Sequence, residues 1–431
     1  MHDDRDHDRA HGDDPGGSHR HDHRRLGREL DLFGSDPLIG AGLPYWLPAG
    51  AAVRQALERY IQDTERRAGY RHVHSPVLGK RELYEISGHW AHYREDMFPP
   101  IGPDRAAPPG DERAPGGERL LLRPSLCPHH ALIFRSRPHS YRELPLRMAE
   151  LGGMYRAERS GVLGGLTRVR AITLNDAHIF CTPDQVADEA RAALGLIRRA
   201  YAALGIAPAR YRLSLPGAGG TYVAAPELWR QSVALLREVL DAAGLPFEEA
   251  PGEAAFYGPK IDVQIADPAG RESTLSTVQI DFHQPERFAL HYTGPDGSPH
   301  RPVMVHRSII GSVERAVAHL IEHHGGAFPA WLAPVQLAVL PVTDAQVPQA
   351  EAVRDRALAL DLRAEVVPPD RGTLGARVRD GRLVPYQAVI GPREAADDRL
   401  ALRLRDGARL PAEPAGAALE RLAVEAAAPR G

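Results

Sequence analysis

Between Ala51 and Ala68, the residues Val53, Leu57, Tyr60, Ile61 and Thr64 recur at helical spacing, and the chain then runs extended through His72 and Val73 to Pro76. That pattern predicts an amphipathic helix leading into a strand. Further helices are predicted at about 184–204 and 226–243, on either side of the strand-like RYRLSL at 210–215. Strands recur at 260–265, 276–282 and 303–305, and Gly311 to His323 places Val313, Val317, Leu320 and Ile321 on one helical face. Strands and helices come in mixed order, with hairpins in place of regular βαβ units, so an α+β fold with an antiparallel sheet carrying helices is expected. After Trp331 the pattern changes to VQLAVLPV, a helix, RAEVV, a second short helix and YQAVIG. This βαβαβ alternation predicts a small α/β domain.

Two segments lack any such period. Residues 1–24 are rich in His, Asp and Arg with almost no apolar side chain, so they are expected to stay disordered, and their histidines offer loose metal ligands. The Pro/Gly-rich stretch at 99–117 is expected to form an exposed loop beside the site. With 431 residues the chain has room for two or three cores. Its 53 basic and 56 acidic residues leave a net charge of −3, so no global basic field announces nucleic acid. Lys80 and Lys260 are the only lysines, which makes scattered arginines poor functional markers. Cys127 and Cys181 alone cannot build a disulfide framework, no apolar signal region opens the chain, and no apolar run is long enough to cross a bilayer. A cytoplasmic location with no membrane partner is expected.

Chemistry concentrates between Tyr155 and Gln185. Arg156 and Glu158 alternate, the Gly-rich SGVLGGL follows, and Arg168 and Arg170 alternate on the return. Two antiparallel strands could thereby aim guanidinium forks at one anion, for which a nucleoside triphosphate is the natural candidate. These residues resemble the second motif of class II aminoacyl-tRNA synthetases, and within that class the threonyl-tRNA synthetases, whose motif ends much like the NDAHIFC found here. The likeness continues, in the family's order, through Leu144 to Glu150, Ala255 to Ile261, Thr277 to Phe282, Pro302 to Arg315 and Phe328 to Gln336. It covers the chain from about His19 and weakens after Ala345.

The resemblance implies a class II catalytic domain at 25–333, with its helix-and-strand first motif forming a homodimer interface, and an anticodon-binding-type domain at 334–431. It implies ATP with Mg2+ as one substrate, threonine or a related β-hydroxy amino acid as another, and tRNA as acceptor. Arg156 would bridge the amino-acid carboxylate and the α-phosphate, Glu158 would accept from the adenine amino group, Arg168 would take the phosphate tail, and Arg315 would hold the γ-phosphate. Cys127, His178 and His306 lie too far apart in sequence for a local zinc signature, yet each falls where the family holds its zinc ion. Asp176 would sense the substrate hydroxyl, Tyr257, Gln279 and Lys260 would line the amino-acid pocket, and His89 would lie near the terminal ribose of tRNA. The competing reading makes Cys127 and His178 ordinary core residues.

Several positions depart from the family's pattern: Ser125, Leu126, His129, Ile172, Leu174, Leu275 and Ser276 replace its usual residues. In the C-terminal region PPDRGTLGARVRDGRLVPY lacks the usual lysine, so anticodon recognition is the least secured part. Two alternatives stay open beside a threonine–tRNA ligase: a paralogue serving antibiotic resistance or activating a β-hydroxy amino acid for biosynthesis, and a non-catalytic sensor. Because the chain opens near the catalytic module, serine is expected to be activated without being cleared in cis.

Overall fold

The computed structural model describes residues 21–102, 119–219 and 222–429. Residues 1–20 of the expected tail and 103–117 of the expected loop lie outside the described residues. Residues 21–24 do not continue a disordered tail. Helix α1 (His23–Glu29) begins there, because the Asp22 carboxylate accepts from the Arg24 amide and the His23 ring is buried against Glu322. Helix α2 (Pro48–Arg67) starts three residues before the expected boundary at Ala51, since proline at the first turn supplies a preset φ and needs no hydrogen-bond acceptor.

The first and larger layer contains β1 (Arg71–His72), α3 (Cys127–Arg135), β2 (Leu146–Tyr155), β3 (Ala171–Cys181), α4 (Val186–Leu204), β4 (Arg210–Leu215), α5 (Pro226–Ala242), β5 (Phe247–Pro251), β6 (Lys260–Ala266), β7 (Glu272–Asp281), β8 (Val303–Ser308) and α6 (Val313–His324). Its eight strands run in the order β1-β2-β3-β8-β7-β6-β4-β5. Pairing is antiparallel except at the two edges, where β1 runs parallel to β2 and β4 parallel to β5.

Strand parity divides the central residues between two faces. Ala177 and Ile179, Val303 and Val305, Val278 and Ile280, and Ile261 and Val263 join the main hydrophobic core with Val53 and Leu57 of α2, Leu194 and Ile197 of α4, and Val317 and Leu320 of α6. Each fully buried aliphatic side chain of this kind stabilises the fold by roughly 1.5–3 kcal/mol relative to exposure. The neighbours at alternate positions are therefore turned to the opposite face, where Phe180 and Met304 join a smaller apolar cluster and the others are the polar residues of the site.

A second core begins at Leu337, four residues after Ala333, the last buried residue of the first. Strand β9 (Leu337–Pro341), α7 (Val347–Ala359), β10 (Ala364–Val366), α8 (Leu374–Asp380) and β11 (Tyr386–Ile390) supply the expected alternation, with β9 parallel to both β10 and β11. Strand β12 (Arg399–Leu404) then adds antiparallel to β11, and α9 (Ala415–Glu425) closes the core with Leu419 and Leu422. These last two elements, one strand added to the sheet and one helix packed on it, go beyond what the sequence pattern indicated.

Candidate active site

Directly opposed residues on neighbouring strands share a face. His178 of β3 pairs with His306 of β8, His306 with Gln279 of β7, and Gln279 with Lys260 of β6, so the four form one row across the sheet. Asp176, Asp281 and Asp262 stand two residues along their strands from members of that row and so project from the same face. Lys260 and Asp262 form a buried ion pair at 2.9 Å, with Ser214 donating to the same carboxylate oxygen at 2.7 Å. Burial holds the Lys260 pKa down, opposed by the Asp262 charge. Tyr257 donates to Gln279 Oε1 at 2.7 Å and stacks on His306 with ring centroids 5.0 Å apart.

Cys127, at the start of α3, comes down on this row. Its Sγ and one nitrogen each of His178 and His306 lie within 4.8 Å of one another, and all three residues are buried. His178 Nε2 is 3.0 Å from His306 Nδ1. Each ring's other nitrogen is already engaged: His178 Nδ1 meets His130 Nδ1 at 2.8 Å, and His306 Nε2 meets the Asp281 carboxylate at 2.8 Å. His130 in turn reaches Glu150 at 3.1 Å. If His178 and His306 donate outward along these two chains, their inner nitrogens present lone pairs to each other at 3.0 Å. That arrangement is repulsive without a cation between them. Burial pushes the His178 pKa well below its ordinary value, which disfavours a proton as that cation. Outer partners that fix ring orientation in this way are what a metal-binding histidine needs. Burial also raises the Cys127 thiol, and a divalent cation would reverse that shift by stabilising thiolate.

Asp176 completes this corner, with Oδ2 3.7 Å from His178 Nε2, and burial lifts its carboxyl pKa to about 6. His89 lies against the same group: its Nδ1 meets Ser87 Oγ at 2.8 Å and its Nε2 is 3.8 Å from Cys127 Sγ. Burial, followed by the His306 and other nearby positive charges including Arg156, holds the His89 pKa near 3. A neutral imidazole results.

The arginine hairpin is built differently from the expectation. Strand β2 ends at Tyr155 and β3 begins at Ala171, so Arg156, Glu158, Arg168 and Arg170 all lie in the connecting loop instead of on strands. Arg168 Nε donates to Glu158 at 3.0 Å. Arg170 does not face an anion site; it donates to the Glu158 carbonyl at 2.8 and 2.9 Å and to the Ala41 carbonyl at 3.3 Å, bracing the loop from behind. Arg156 is half-buried with its pKa lowered by burial, opposed by Glu158. Arg315 stands in the first turn of α6, whose Ser312 cap accepts from the Arg315 amide, and its Nη1 reaches the Thr274 carbonyl at 2.8 Å. It thus bridges toward the loop, where its Nε lies 3.4 Å from the Thr167 carbonyl.

The positions that depart from the family's pattern do not form one wall. Ser125 Oγ lies 3.2 Å from Cys127 Sγ. Leu126 packs on Gly152, where an added Cβ would fall 2.3 Å from Leu126 Cδ2. Leu275 belongs to the main hydrophobic core, and Ser276 is turned toward the Tyr201 hydroxyl and the Ile309 carbonyl, away from the row. Sequence reasoning also missed partners that matter to the site. His130, Glu150 and Asp281 anchor the rings of His178 and His306, and a fully buried Glu65–Arg307 pair at 2.7 Å, joined by Asn175 and His72, underlies the row. A charged residue inside an apolar strand, as in VMVHRS, was the available signal.

Comparison with known proteins follows the same division. Residues 112–324 match the family model of the tRNA synthetase class II core domain (G, H, P, S and T), and residues 336–423 match the anticodon binding domain. The threonine–tRNA ligase of Geobacillus sp. (strain WCH70) is 48% identical over 387 residues, covering 89% of this chain and 58% of that protein. This chain therefore spans well under two thirds of the length of such relatives. The RNA binding domain of threonyl-tRNA synthetase from Cryptosporidium parvum Iowa II superposes with a TM-score of 0.87 at 33% identity, covering 95% of this chain and 99% of that one. A Giardia lamblia prolyl-tRNA synthetase in complex with prolyl-adenylate shares the fold at a TM-score of 0.70 and 17% identity, covering 96% of this chain and 82% of that one. Among the described residues no helix is long and apolar enough to cross a membrane.

Proposed function

The chain belongs to the threonyl-tRNA synthetase family of class II synthetases, and on that premise we propose that it activates threonine with ATP and transfers the threonyl group to tRNA. The convergence of Cys127, His178 and His306 beside the arginine loop is the observation that carries this reading. Zinc held by these three residues, with its coordination left open toward the substrate, would recognise the amino group and side-chain hydroxyl together. The donor set fits: one sulfur and two imidazole nitrogens, with the outer nitrogens anchored by His130 and Asp281.

The chain's own residues divide the remaining work. Asp176 accepts the hydroxyl's hydrogen bond, Tyr257 and Gln279 border the amino acid, and Lys260 secures the row through Asp262. Arg156 draws the carboxylate and the α-phosphate into line, which is most of what adenylation requires of a protein. Arg315 takes the γ-phosphate of ATP bound with Mg2+. For Glu158 to meet the adenine amino group and Arg168 the phosphate tail, their mutual ion pair opens on binding. His89, neutral and buried, stands where the second substrate's ribose would approach. Catalytic and anticodon-binding units at 25–333 and 334–431, a homodimer and a cytoplasmic location complete the proposal.

ATP–pyrophosphate exchange with threonine, serine and valine, followed by charging of tRNA, tests it. Threonine-dependent exchange is expected, with valine rejected because it leaves the metal and Asp176 unpaired. Absence of exchange with every amino acid would reject the enzyme reading in favour of a sensor. Sedimentation of the full chain tests the dimer.

A further inference from the structure

Helix α1 lies close against the end of α6: a Cβ added to Gly326, just past that end, would fall 2.3 Å from Leu30 Cδ1. Leu26 and Leu30 fix α1 there, on the main hydrophobic core. The first residue of α1, His23, is a buried imidazole that the proposed chemistry does not use, and both of its ring nitrogens are engaged. Nδ1 lies 2.6 Å from Glu322 Oε1 on α6, and Nε2 lies 3.2 Å from the Leu166 amide in the arginine loop. An amide N–H can only donate, so Nε2 keeps its lone pair, the ring hydrogen sits on Nδ1, and Glu322 accepts it.

Asp22, His23 and Glu322 offer ligand atoms within 4.8 Å of one another. The group is a junction of hydrogen bonds and not a place for a cation, because both nitrogens of the ring are spent and the Asp22 carboxylate is held by the Arg24 guanidinium. What the junction grips is the loop. Gly165 has a φ of +55°, and a Cβ there would fall 2.3 Å from His23 Nε2, so only glycine lets the chain approach the ring this closely. Leu166 is fully buried in the main core, and the Thr167 carbonyl next along lies 3.4 Å from Arg315 Nε. Glu322 is seven residues, about two turns, beyond Arg315. Helix α6 therefore holds the 164–168 turn at two places, directly through Arg315 and indirectly through Glu322 and His23.

We propose that His23 is a positioning residue for the ATP site: it spaces the arginine loop from α6, so that Arg168 and Arg315 meet the nucleotide from fixed points. The inference rests on the assignment of those two arginines to the phosphates of ATP. On that assignment Arg168 leaves Glu158 when the nucleotide binds, and a residue that swings needs a neighbour that stays. Leu166, two residues before Arg168, is that neighbour. A loop already held in its binding shape loses less chain entropy on binding, so the ring contributes to ATP affinity without touching ATP. Neither Glu322 nor Leu166 belongs to the row from His178 to Lys260, so threonine binding is spared.

Calorimetric titration of Mg2+–ATP and of threonine, separately, into the full chain tests this, together with amide hydrogen exchange over residues 160–170. His23→Ala should weaken ATP about tenfold, the scale of one lost hydrogen bond, leave threonine within about twofold, and speed amide hydrogen exchange in the loop. His23→Gln should restore most of the ATP affinity, since its amide can accept from Leu166 and donate to Glu322. Glu322→Ala keeps the ring and removes only its acceptor; it should weaken ATP in the same direction, and it decides the matter should His23→Ala not fold. Unchanged ATP affinity, equal weakening of ATP and threonine, or His23→Gln no better than His23→Ala would each overturn the proposal. A parent chain that binds ATP but catalyses no pyrophosphate exchange rejects the enzyme reading alone, whereas one that binds no ATP rejects both.

Discussion

Asp176 and Glu150 are cross-strand partners on β3 and β2, yet burial has opposite outcomes for them. Among the described residues Asp176 has no cationic partner within ion-pair distance except a histidine kept neutral, so desolvation dominates and its pKa rises to about 6. Glu150 faces the same desolvation, but hydrogen bonds from His130 and Ser75 and the Arg123 charge outweigh it, bringing the pKa to about 2. The first carboxylate suits a hydroxyl sensor and the second a fixed strut. Changing Asp176→Asn should lower kcat/KM for threonine-dependent exchange by roughly 100-fold or more, with the zinc content of the protein unchanged. Glu150 carries a pH signature. Its folded pKa is below the unfolded value of 4.5, so the unfolded chain takes up the proton first, and stability present above pH 4.5 is lost as pH falls toward 2. That shift corresponds to about 3 kcal/mol. In urea unfolding measured from pH 7 to pH 3, Glu150→Gln should start lower and fall less steeply than the parent chain; parallel curves would refute the assignment.

Helix α6 carries Arg315, the proposed γ-phosphate contact, in its first turn. Its head is set by Ser312, whose side chain accepts the Arg315 amide at 3.0 Å. Ser312→Ala should cost about 1 kcal/mol of stability, and because it frees the turn that aims Arg315, KM for ATP should rise more than kcat falls. Steady-state exchange kinetics at varied ATP would separate those terms. Elements of this type were legible in the sequence: α4, α5, α6 and β4 follow from periodicity and local breakers with boundaries within about two residues, since both signals are local. The site was legible only in part. Its principal residues stand out because motifs preserve their neighbours, but the partners that orient them do not. Glu65 and Arg307 are 242 positions apart and meet through the crossing of α2 over β8. His130 and Glu150 likewise join only when α3 settles on β2, and no spacing rule anticipates such contacts. The arginine loop was misjudged for a related reason: alternation in five residues cannot distinguish a strand from a loop whose shape is fixed by Arg170 on distant carbonyls.

Among the described residues the largest core of the first unit and the core of the second stay separate, and the join between the two units is polar. Arg405 of the second unit donates to the Ala327 and Phe328 carbonyls at 2.7 Å each, and Arg363 to the Ala333 and Trp331 carbonyls at 2.8 Å each. Gln336 spans the junction between the carbonyls of Ala330 and Ala426. Guanidinium contacts to main-chain oxygens position one unit on the other without merging their apolar interiors, so each core should respond to its own substitutions. Leu419 is fully buried in the second core, and truncating it leaves a cavity bounded by α9, α7 and the β9–β12 sheet. Leu419→Ala should destabilise that unit by about 2–5 kcal/mol. Calorimetry of the full chain should then show a transition at lower temperature that is resolved from the main one. Threonine-dependent ATP–pyrophosphate exchange should be retained below that transition, because the row from His178 to Lys260 rests on the first core. Transfer to tRNA should fall once the second unit has melted. A single transition that shifts as a whole, with exchange lost in step, would instead show that the arginine contacts couple the two cores into one cooperative structure.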